Sequence, residues 1–499
     1  MTWRTIGEDL RATAAARPDH VAVIRDEGSL TFTELERRAE AAAGGLRSLG
    51  VGRGDRVALI LPNDLDMAVA IYAVALAGGC FCPINPSVKH DRLAYMLADT
   101  QAAAVLCDEE LVEPVTEVAR ETGAGPVATV ATVEKKEGEA GDRVLDVDLA
   151  SIIYTSGTTG EPKGVTLTHR NMTFVGESII ESLDMNSEDR VLCVLPLSFG
   201  YGLFQLLMCV RLGATLVLEQ GFAFAGRVVE LLERERITIL PGVPSVFAVL
   251  TSLEGLADRE LPHLRFLTNA GAGLPEAARA EVRRTFPGAG LHSMYGLTEC
   301  LRVCTLPPDE QDRKPGSVGR PIPGTEAWVA DDEGLPLPPG EIGELLVRGG
   351  HVMQGYWRDL EATGLKLRPG HWPWERILAT GDLFRADEDG YLYVEGRRDD
   401  QIKSRGEKVM PREVEDVLLS HDAVCEAAVV GVPDRILGQA IHAHVVLAEG
   451  AEAKTPELRR HCAERLEVHK VPKQVVTREA LPRTINGKLD RNALREQAE

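Results

Sequence analysis

The sequence has 499 residues, which exceeds one ordinary domain and predicts at least two. Its 44% apolar and 26% charged residues are typical of a folded globular protein and exclude a disordered or fibrous chain. The 55 basic and 76 acidic residues give a net charge of −21, which disfavours binding to a nucleic-acid polymer or an anionic membrane, although one local phosphate site stays compatible with it.

The most membrane-like stretch covers residues 67–84, but Gly78 and Pro83 interrupt it. A buried helix that runs into a strand is therefore the favoured interpretation, and no membrane span is expected. No secretory signal is visible in residues 1–11, which predicts a cytoplasmic protein. The nine cysteines then predict buried thiols rather than disulfides or a metal site.

Apolar runs alternate with helical patterns along most of the chain. Residues 56–61 predict a strand before a helix over 65–78, and residues 214–218 predict a strand before a helix over 225–236. This alternation indicates βαβ units and layered, partly parallel sheets. Between 320 and 395, short strands and Gly/Pro turns predict a small β-rich layer.

A charged cluster, Arg397-Arg398-Asp399-Asp400, marks a predicted domain boundary. Behind it the patterns indicate two helices, over 411–420 and 456–466, and two strands, over 427–432 and 441–446. This is a compact α+β module of ordinary domain size. We therefore predict a large domain over 1–396 and a small one over 397–499.

The most informative segment is residues 154–164, YTSGTTGEPKG, directly after an apolar strand predicted over 149–153. Backbone N–H groups and hydroxyls of such a loop converge on phosphate oxygens, and Lys163 adds positive charge. Gly164 follows that lysine where a Walker A loop requires Ser or Thr. A phosphate-binding loop of another kind is favoured over a flexible surface linker.

This loop resembles the signature of the adenylate-forming superfamily, which includes acyl-CoA synthetases, nonribosomal-peptide adenylation domains and firefly luciferase. Five further motifs of that superfamily follow in the expected order: YGLTE at 295–299, GYW at 355–357, TGD at 380–382, GRRDD at 396–400 and NGK at 486–488. The sequence is similar to the branch that holds acyl carrier protein ligases and β-amino-acid ligases.

The resemblance implies a fold and a reaction. The fold is α/β, with a large N-terminal domain of layered sheets plus a distorted β-barrel, followed by a small mobile α+β domain. The reaction joins a carboxylic acid to the α-phosphate of ATP with release of pyrophosphate, and then passes the acyl group to a pantetheine thiol. ATP, Mg²⁺ and CoA or phosphopantetheine are the implied cofactors.

The resemblance also implies roles for residues, which we carry over motif by motif. The phosphate loop, with Thr155, Ser156, Gly157, Thr158, Thr159 and Lys163, would hold the β- and γ-phosphates. Thr298 would donate to the α-phosphate and Glu299 would bind Mg²⁺, which prefers oxygen ligands. The adenine would lie between Tyr295-Gly296 and the wall of Asn269, Ala270 and Gly271. Asp382 would accept hydrogen bonds from the ribose hydroxyls, and Arg397 would assist at the ribose and phosphate. Lys488 would be the adenylation lysine, bridging the acid and the α-phosphate.

Two more roles concern the small domain. Asp399 corresponds to the hinge about which that domain rotates, although a salt-bridge cluster on a linker is an alternative interpretation. Arg405, Gly406 and Lys408 would line the thiol channel. CoA and an acyl carrier protein present the same pantetheine arm, so the acceptor stays open between them.

The implied substrate pocket consists of Phe199, Gly200, Tyr201, Val243, Gly271, Gly273 and Arg302. Relatives that act on β-amino acids carry an Asp at the position of Gly200, and a buried ammonium without a carboxylate partner is costly. This favours an aliphatic or alicyclic acid without a free amine. Arg302 is open to two interpretations: it binds a second carboxylate or polar oxygen of the substrate, or it pairs with a protein acid.

Three functions follow as hypotheses. The leading one is an AMP-forming acid–thiol ligase acting on a small carboxylic acid with CoA or an acyl carrier protein. The alternative is a stand-alone amino-acid or β-amino-acid adenylation enzyme of a natural-product pathway. A nucleotide-binding protein without catalysis is disfavoured by the intact Lys163, Glu299, Asp382 and Lys488.

Overall fold

The computed structural model describes residues 5–26, 28–138, 143–155, 161–222, 224–404, 407–434, 437–448, 450–483 and 489–497, with only the backbone of residue 408. Helices in this part of the chain are α1 (Ile6–Ala16), α2 (Phe32–Ser48), α3 (Leu65–Ala77), α4 (His90–Thr100), α5 (Val112–Thr122), α6 (Val130–Val133), α7 (His169–Leu183), α8 (Gly200–Leu212), α9 (Ala225–Arg234), α10 (Pro244–Thr251), α11 (Glu276–Thr285), α12 (Leu360–Lys366), α13 (Pro411–Leu419), α14 (Thr455–Ala463) and α15 (Arg491–Glu496).

The strands in chain order are β1 (Val21–Arg25), β2 (Gly28–Thr31), β3 (Arg56–Ile60), β4 (Cys80–Pro83), β5 (Ala104–Cys107), β6 (Val127–Ala128), β7 (Leu149–Thr155), β8 (Lys163–Thr168), β9 (Arg190–Cys193), β10 (Thr215–Leu218), β11 (Ile239–Gly242), β12 (Phe266–Asn269), β13 (Gly290–Tyr295), β14 (Cys304–Leu306), β15 (Arg320–Pro321), β16 (Thr325–Ala330), β17 (Gly343–Gly349), β18 (Gly355–Tyr356), β19 (Leu367–Pro369), β20 (Arg376–Ala386), β21 (Leu392–Arg397), β22 (Ile402–Ser404), β23 (Glu407–Val409), β24 (Val424–Asp434), β25 (Gly438–Leu447) and β26 (Gln474–Arg478).

Local sequence explains where the helices begin and end. Thr31 caps α2 by accepting from the backbone N–H of Glu34, whose side chain accepts in return from the backbone of Thr31. Helix α3 ends at Gly78, which has a φ of 83° and continues the chain in the left-handed region. The helices and strands that the sequence predicts are confirmed, with ends that agree to within a few residues.

The chain divides into two compact units, the first of Met1–Ala327 with Val347–Leu378 and the second of Trp328–Leu346 with Ala379–Glu499. A nine-stranded sheet of the first unit has the order β15-β14-β13-β12-β11-β9-β10-β1-β2. Its strands from β13 to β1 pair in parallel, and β2, β14 and β15 are antiparallel additions at its edges.

The seven-stranded sheet of the first unit has the order β18-β8-β7-β4-β3-β5-β6. Strands β7, β4, β3, β5 and β6 are parallel neighbours, whereas β8 and β18 add antiparallel pairs. Helix α3 is buried on nearly all sides, from Met67 to Ala75 without interruption. This burial explains the membrane-like composition of residues 67–84. Among the residues that the structure describes, no helix combines the length and apolar character that crossing a membrane requires.

Two smaller sheets complete the architecture. Most of the short strands predicted over 320–395 form a five-stranded sheet in the order β16-β17-β20-β19, with β21 paired to β20, whereas β15 and β18 belong to the two larger sheets. The second unit carries the sheet β23-β22-β25-β24, with β26 paired to β25. Ile402, Val414, Val429, Ile441 and Leu458 are buried together in a core that joins this sheet to α13 and α14. The predicted α/β fold with a smaller C-terminal α+β domain is confirmed. None of the nine cysteines is disulfide-bonded; Cys425 is exposed and the other eight are buried.

Candidate active site

The ends of the predicted phosphate loop lie on a β-hairpin. Strands β7 and β8 are antiparallel, and Thr155 is directly opposite Lys163 in their register. The hairpin is anchored where the Tyr154 hydroxyl donates to Asp99 Oδ2 at 2.6 Å, and burial raises the pKa of that tyrosine. Ser156, Gly157, Thr158 and Thr159 lie outside the described residues. The pairing of β7 with β8 therefore holds Thr155 and Lys163, which flank the loop, next to each other.

A second turn, residues 296–303, connects β13 to β14 and carries Thr298 and Glu299. It closes through the Val303 N–H, which donates to the Tyr295 carbonyl at 2.9 Å. Gly296 is required here, since a Cβ would lie 2.3 Å from the Leu301 carbonyl oxygen. Leu301 itself has a φ of 65°, an uncommon backbone conformation for a leucine. This tight turn fixes the backbone beside Tyr295.

Tyr356 connects the two turns. Its hydroxyl donates to Glu299 Oε1 at 2.6 Å, and Lys163 Nζ lies over its ring, 5.5 Å from the centroid. Strand β18 positions this tyrosine by pairing it with Val165 on β8. The contact brings together a cation from the first motif and a carboxylate from the second. Tyr356 lies in the GYW motif at 355–357 but is not among the site residues that the sequence predicts.

Parallel strands align the next set of predicted residues. Gly242, Asn269 and Ser293 are register partners on β11, β12 and β13, so these strands end at the same edge of the sheet. Ligand sites of open α/β sheets occur at this edge. Asn269 is 2% exposed; its Nδ2 donates to the Ala272 carbonyl at 2.9 Å, whereas its Oδ1 has no hydrogen-bond partner among the described residues.

The short segment after β12 lies close to the segment after β11. Ala270 is 5% exposed and Gly271 has a φ of 85°. A Cβ on Gly271 would lie 3.5 Å from Val243 Cγ1, and one on Gly273 would meet no atom within 4 Å. The sheet edge therefore brings the segment of Asn269, Ala270 and Gly271 close to Val243.

Tyr201 of the predicted acyl pocket contacts two segments that are distant from it in the sequence. Its hydroxyl lies 2.6 Å from Thr268 Oγ1 on β12, and burial raises its pKa to about 12. The Arg302 guanidinium lies over its ring, 5.4 Å from the centroid. Phe199 is the N-cap of α8 and Gly200 its first residue. A Cβ on Gly200 would lie 3.1 Å from Leu301 Cδ2, so that leucine occupies space beside the missing side chain.

The surroundings of Arg302 do not fit the interpretation that it pairs with a protein acid. It is 4% exposed, and its Nε and Nη1 have no hydrogen-bond partner among the described residues. Burial lowers its pKa, and the other groups that act on it are Tyr201, Cys300 and Cys304. No carboxylate is among them, so within the described part of the chain Arg302 is not neutralised by a protein acid.

The second unit holds another group of predicted residues. Asp382 and Arg397 are register partners on β20 and β21, with the Arg397 Nε 3.1 Å from Asp382 Oδ1. Asp382 is 6% exposed. This contact places one carboxylate oxygen of Asp382 beside the Arg397 guanidinium, and the ribose role of both residues stays a prediction.

The charged cluster at 397–400 forms part of a short 3-10 turn in the second unit. Arg398 pairs with Glu344 at 3.1 Å, and Asp400 pairs with Arg495 at 2.7 Å. Asp399 between them is exposed. The salt-bridge interpretation thus fits its neighbours, and the hinge role of Asp399 stays a prediction. Arg405, Gly406, the Lys408 side chain and Lys488 lie outside the described residues.

These residues match the chemical needs of ATP and Mg²⁺. Lys163 supplies a cation at the phosphate hairpin, and Glu299, which is only partly buried, offers carboxylate oxygens of the kind Mg²⁺ prefers. The unpartnered Asn269 Oδ1 can accept from an amino group of a ligand at the sheet edge. The residues present therefore fit the groups that the reaction needs.

Comparison with known proteins gives the same assignment. The family model "AMP-binding enzyme" matches residues 10–357, and "AMP-binding enzyme C-terminal domain" matches residues 413–488. A 2-succinylbenzoate–CoA ligase of Bacillus licheniformis is 35% identical over 97% of this chain and 98% of its own.

Solved structures agree over the whole chain. ATP-bound MatB from Rhodopseudomonas palustris superimposes with a TM-score of 0.92 at 29% identity, covering 99% of this chain and 98% of that one. The o-succinylbenzoate CoA synthetase MenE from Bacillus subtilis, in complex with ATP and a magnesium ion, gives a TM-score of 0.86 at 32% identity, covering 98% of each chain. The chain therefore belongs to the AMP-binding enzyme family, as an AMP-forming ligase that uses ATP and Mg²⁺ to activate a carboxylic acid for transfer to a pantetheine thiol.

Proposed function

We propose that this ligase activates a small aliphatic or alicyclic carboxylic acid without a free amine. The observation that carries the proposal is the buried Arg302 beside Tyr201 in a pocket where Gly200 offers no carboxylate. An ammonium group in this pocket would meet a cation instead of an acid, and would be buried without compensation.

The first half of the reaction joins two anions, so its transition state needs positive charge and N–H donors. We assign the β- and γ-phosphates to Thr155, Ser156, Gly157, Thr158, Thr159 and Lys163. Thr298 donates to the α-phosphate, and Glu299, held by the Tyr356 hydroxyl, binds Mg²⁺. That ion neutralises phosphate charge when it is bound.

A carboxylate oxygen of the acid attacks the α-phosphorus, and the bond to pyrophosphate breaks. Lys488 bridges the attacking carboxylate and the α-phosphate, where negative charge develops. Tyr295 and Gly296 cover one face of the adenine, and Asn269, Ala270 and Gly271 cover the other. Asp382 and Arg397 orient the ribose.

For the second half we propose that residues 397–499 rotate about Asp399 and bring Arg405, Gly406 and Lys408 to the pantetheine. CoA is the acceptor of the similar ligases. An acyl carrier protein, which presents the same arm, is the alternative acceptor. We also propose a cytoplasmic location, where ATP and CoA are available.

Pyrophosphate exchange tests the substrate class. Labelled pyrophosphate enters ATP only when an acid forms its adenylate, so the purified enzyme is assayed with matched pairs of free acids and their amino acids. We expect exchange with free acids and at least about tenfold slower exchange with amino acids, since an unpaired buried charge costs more than 1.4 kcal/mol. Preference for an amino or β-amino acid would instead support the adenylation enzyme of a natural-product pathway.

The same enzyme with its best acid then separates the acceptors. CoA and a phosphopantetheine-bearing carrier protein are supplied together, and both thioesters are measured. If the thioester forms on the carrier protein alone, the carrier protein and not CoA is the acceptor.

A further inference from the structure

Arg302 occupies an unusual electrostatic position. A guanidinium that leaves water needs an acid or several acceptors, because its charge is otherwise buried without compensation. The other buried arginine in the described part of the first unit, Arg279 at 8% exposed, has an acid partner, since it pairs with Glu276 at 2.5 Å. Arg302 has none among the described residues, and two of its N–H-bearing nitrogens, Nε and Nη1, are unused.

The helix beside Arg302 adds positive potential to the same place. Arg302 lies over the ring of Tyr201, the second residue of the 13-residue helix α8. The N-cap residue of this helix, Phe199, makes no side-chain capping hydrogen bond. The first N–H groups of a helix and its dipole both favour an anion, so a cation here is unfavourable unless an anion accompanies it.

Among the described residues, the side chains around the guanidinium do not supply that anion. Tyr201 is protonated, with its hydroxyl engaged by Thr268. Cys300 and Cys304 are fully buried, which raises the pKa of both thiols and keeps them neutral. The neighbouring backbone is also constrained, because the tight turn from Gly296 to Leu301 fixes the position of the Arg302 backbone. The cation is therefore held in place by the fold.

We propose that Arg302 and the N-terminus of α8 form an anchor for a second carboxylate of the substrate, so that the preferred acid is a dicarboxylic acid activated at one end only. This inference rests on the proposed function, because it places the anchor in that same acyl pocket. A carboxylate matches the planar guanidinium in shape and can accept two of its N–H groups at once. The other carboxylate of the acid is the one that reacts with ATP.

The test compares wild type with Arg302→Met, which keeps the length of the side chain and removes its charge. Each diacid from four to eight carbons is paired with the monoacid of equal length and with its methyl half-ester, and pyrophosphate exchange gives kcat/KM for each. We expect wild type to prefer a diacid over both partners by on the order of 10²-fold. Arg302→Met should lose most of this preference by raising the KM for the diacid.

Two controls keep the result interpretable. Arg279→Met removes a buried arginine that has its own acid partner, and should leave the diacid preference unchanged. Circular dichroism and calorimetric ATP binding establish that Arg302→Met is folded. If that variant does not fold, Arg302→Lys serves instead, because a single ammonium cannot make the paired contact and should weaken the preference.

The outcomes divide clearly. Diacid preference in wild type that falls in the Arg302 variant supports the anchor. Equal exchange with diacid and monoacid, or with diacid and half-ester, overturns the anchor but leaves the proposed free-acid activity intact. Exchange with amino acids alone overturns the proposed function as well. The anchor is also contradicted if no diacid gives a higher kcat/KM than its monoacid and half-ester, or if none of these acids supports pyrophosphate exchange.

Discussion

The contact between Tyr356 and Glu299 gives a direct test of the site, through the substitution Tyr356→Phe. This change removes one hydroxyl and leaves the ring beneath Lys163 in place. A hydrogen bond to a charged group contributes about 1.5–3 kcal/mol, and each 1.4 kcal/mol corresponds to a factor of ten. Glu299 is only partly buried, which places the effect at the lower end, near tenfold.

Which kinetic quantity changes is as informative as the size of the change. If the hydroxyl orients Glu299 toward Mg²⁺, Tyr356→Phe raises the Mg²⁺ concentration needed for half-maximal pyrophosphate exchange by about tenfold, because partners of metal ligands tune metal affinity on this scale. The KM for the acid should change little. Tyr356→Leu also removes the ring beneath Lys163, and should cost a further two- to fivefold or so.

A matched control comes from the second unit. Tyr393 likewise donates to a carboxylate, Asp387 Oδ2 at 3.2 Å, and has the Arg385 guanidinium over its ring at 4.0 Å. Tyr393→Phe should therefore leave exchange and its Mg²⁺ dependence unchanged. The reasoning is refuted if Tyr356→Phe stays within about twofold of wild type in both quantities, or if both tyrosine variants lose activity equally.

Three further predictions concern other parts of the molecule. Lys488→Ala should lower pyrophosphate exchange by on the order of 10²–10³-fold and spare thioester formation from a supplied acyl-adenylate; exchange within tenfold of wild type would contradict this role. His351 is fully buried and its pKa is lowered from 6.5 to about 4 by burial. As the pH drops, the unfolded chain therefore takes up a proton on this histidine at a higher pH than the folded chain does, and the free energy of unfolding should fall between about pH 6.5 and pH 4. His351→Leu should reduce this loss in urea titrations by up to about 3 kcal/mol, and an unchanged pH slope would exclude it. Gly296→Ala places a Cβ 2.3 Å from the Leu301 carbonyl oxygen and should destabilise by about 1–3 kcal/mol with at least about tenfold slower exchange, whereas Gly288→Ala, which meets no atom within 4 Å, is the control; equal effects would refute the steric argument.

The order of elements and the family could be predicted from the sequence because they depend on local patterns. Apolar periodicity and turn residues indicate strands and helices, and the spacing of the six motifs is linear along the chain. The same linear information paired Asp382 with the ribose and Glu299 with Mg²⁺ by resemblance. It also identified Arg302 as exceptional, since an arginine stands out in an otherwise apolar or small pocket.

Contacts between distant segments had to come from the tertiary structure. Residues 163, 299 and 356 are separated by more than fifty positions, and only the pairing of β18 with β8 brings Tyr356 between Lys163 and Glu299. The sequence likewise left both interpretations of Arg302 open, because which acids surround a buried cation depends on packing. The sequence by itself determined which chemical groups the protein carries, and the fold decided which of them meet and which charge is left for the substrate to neutralise.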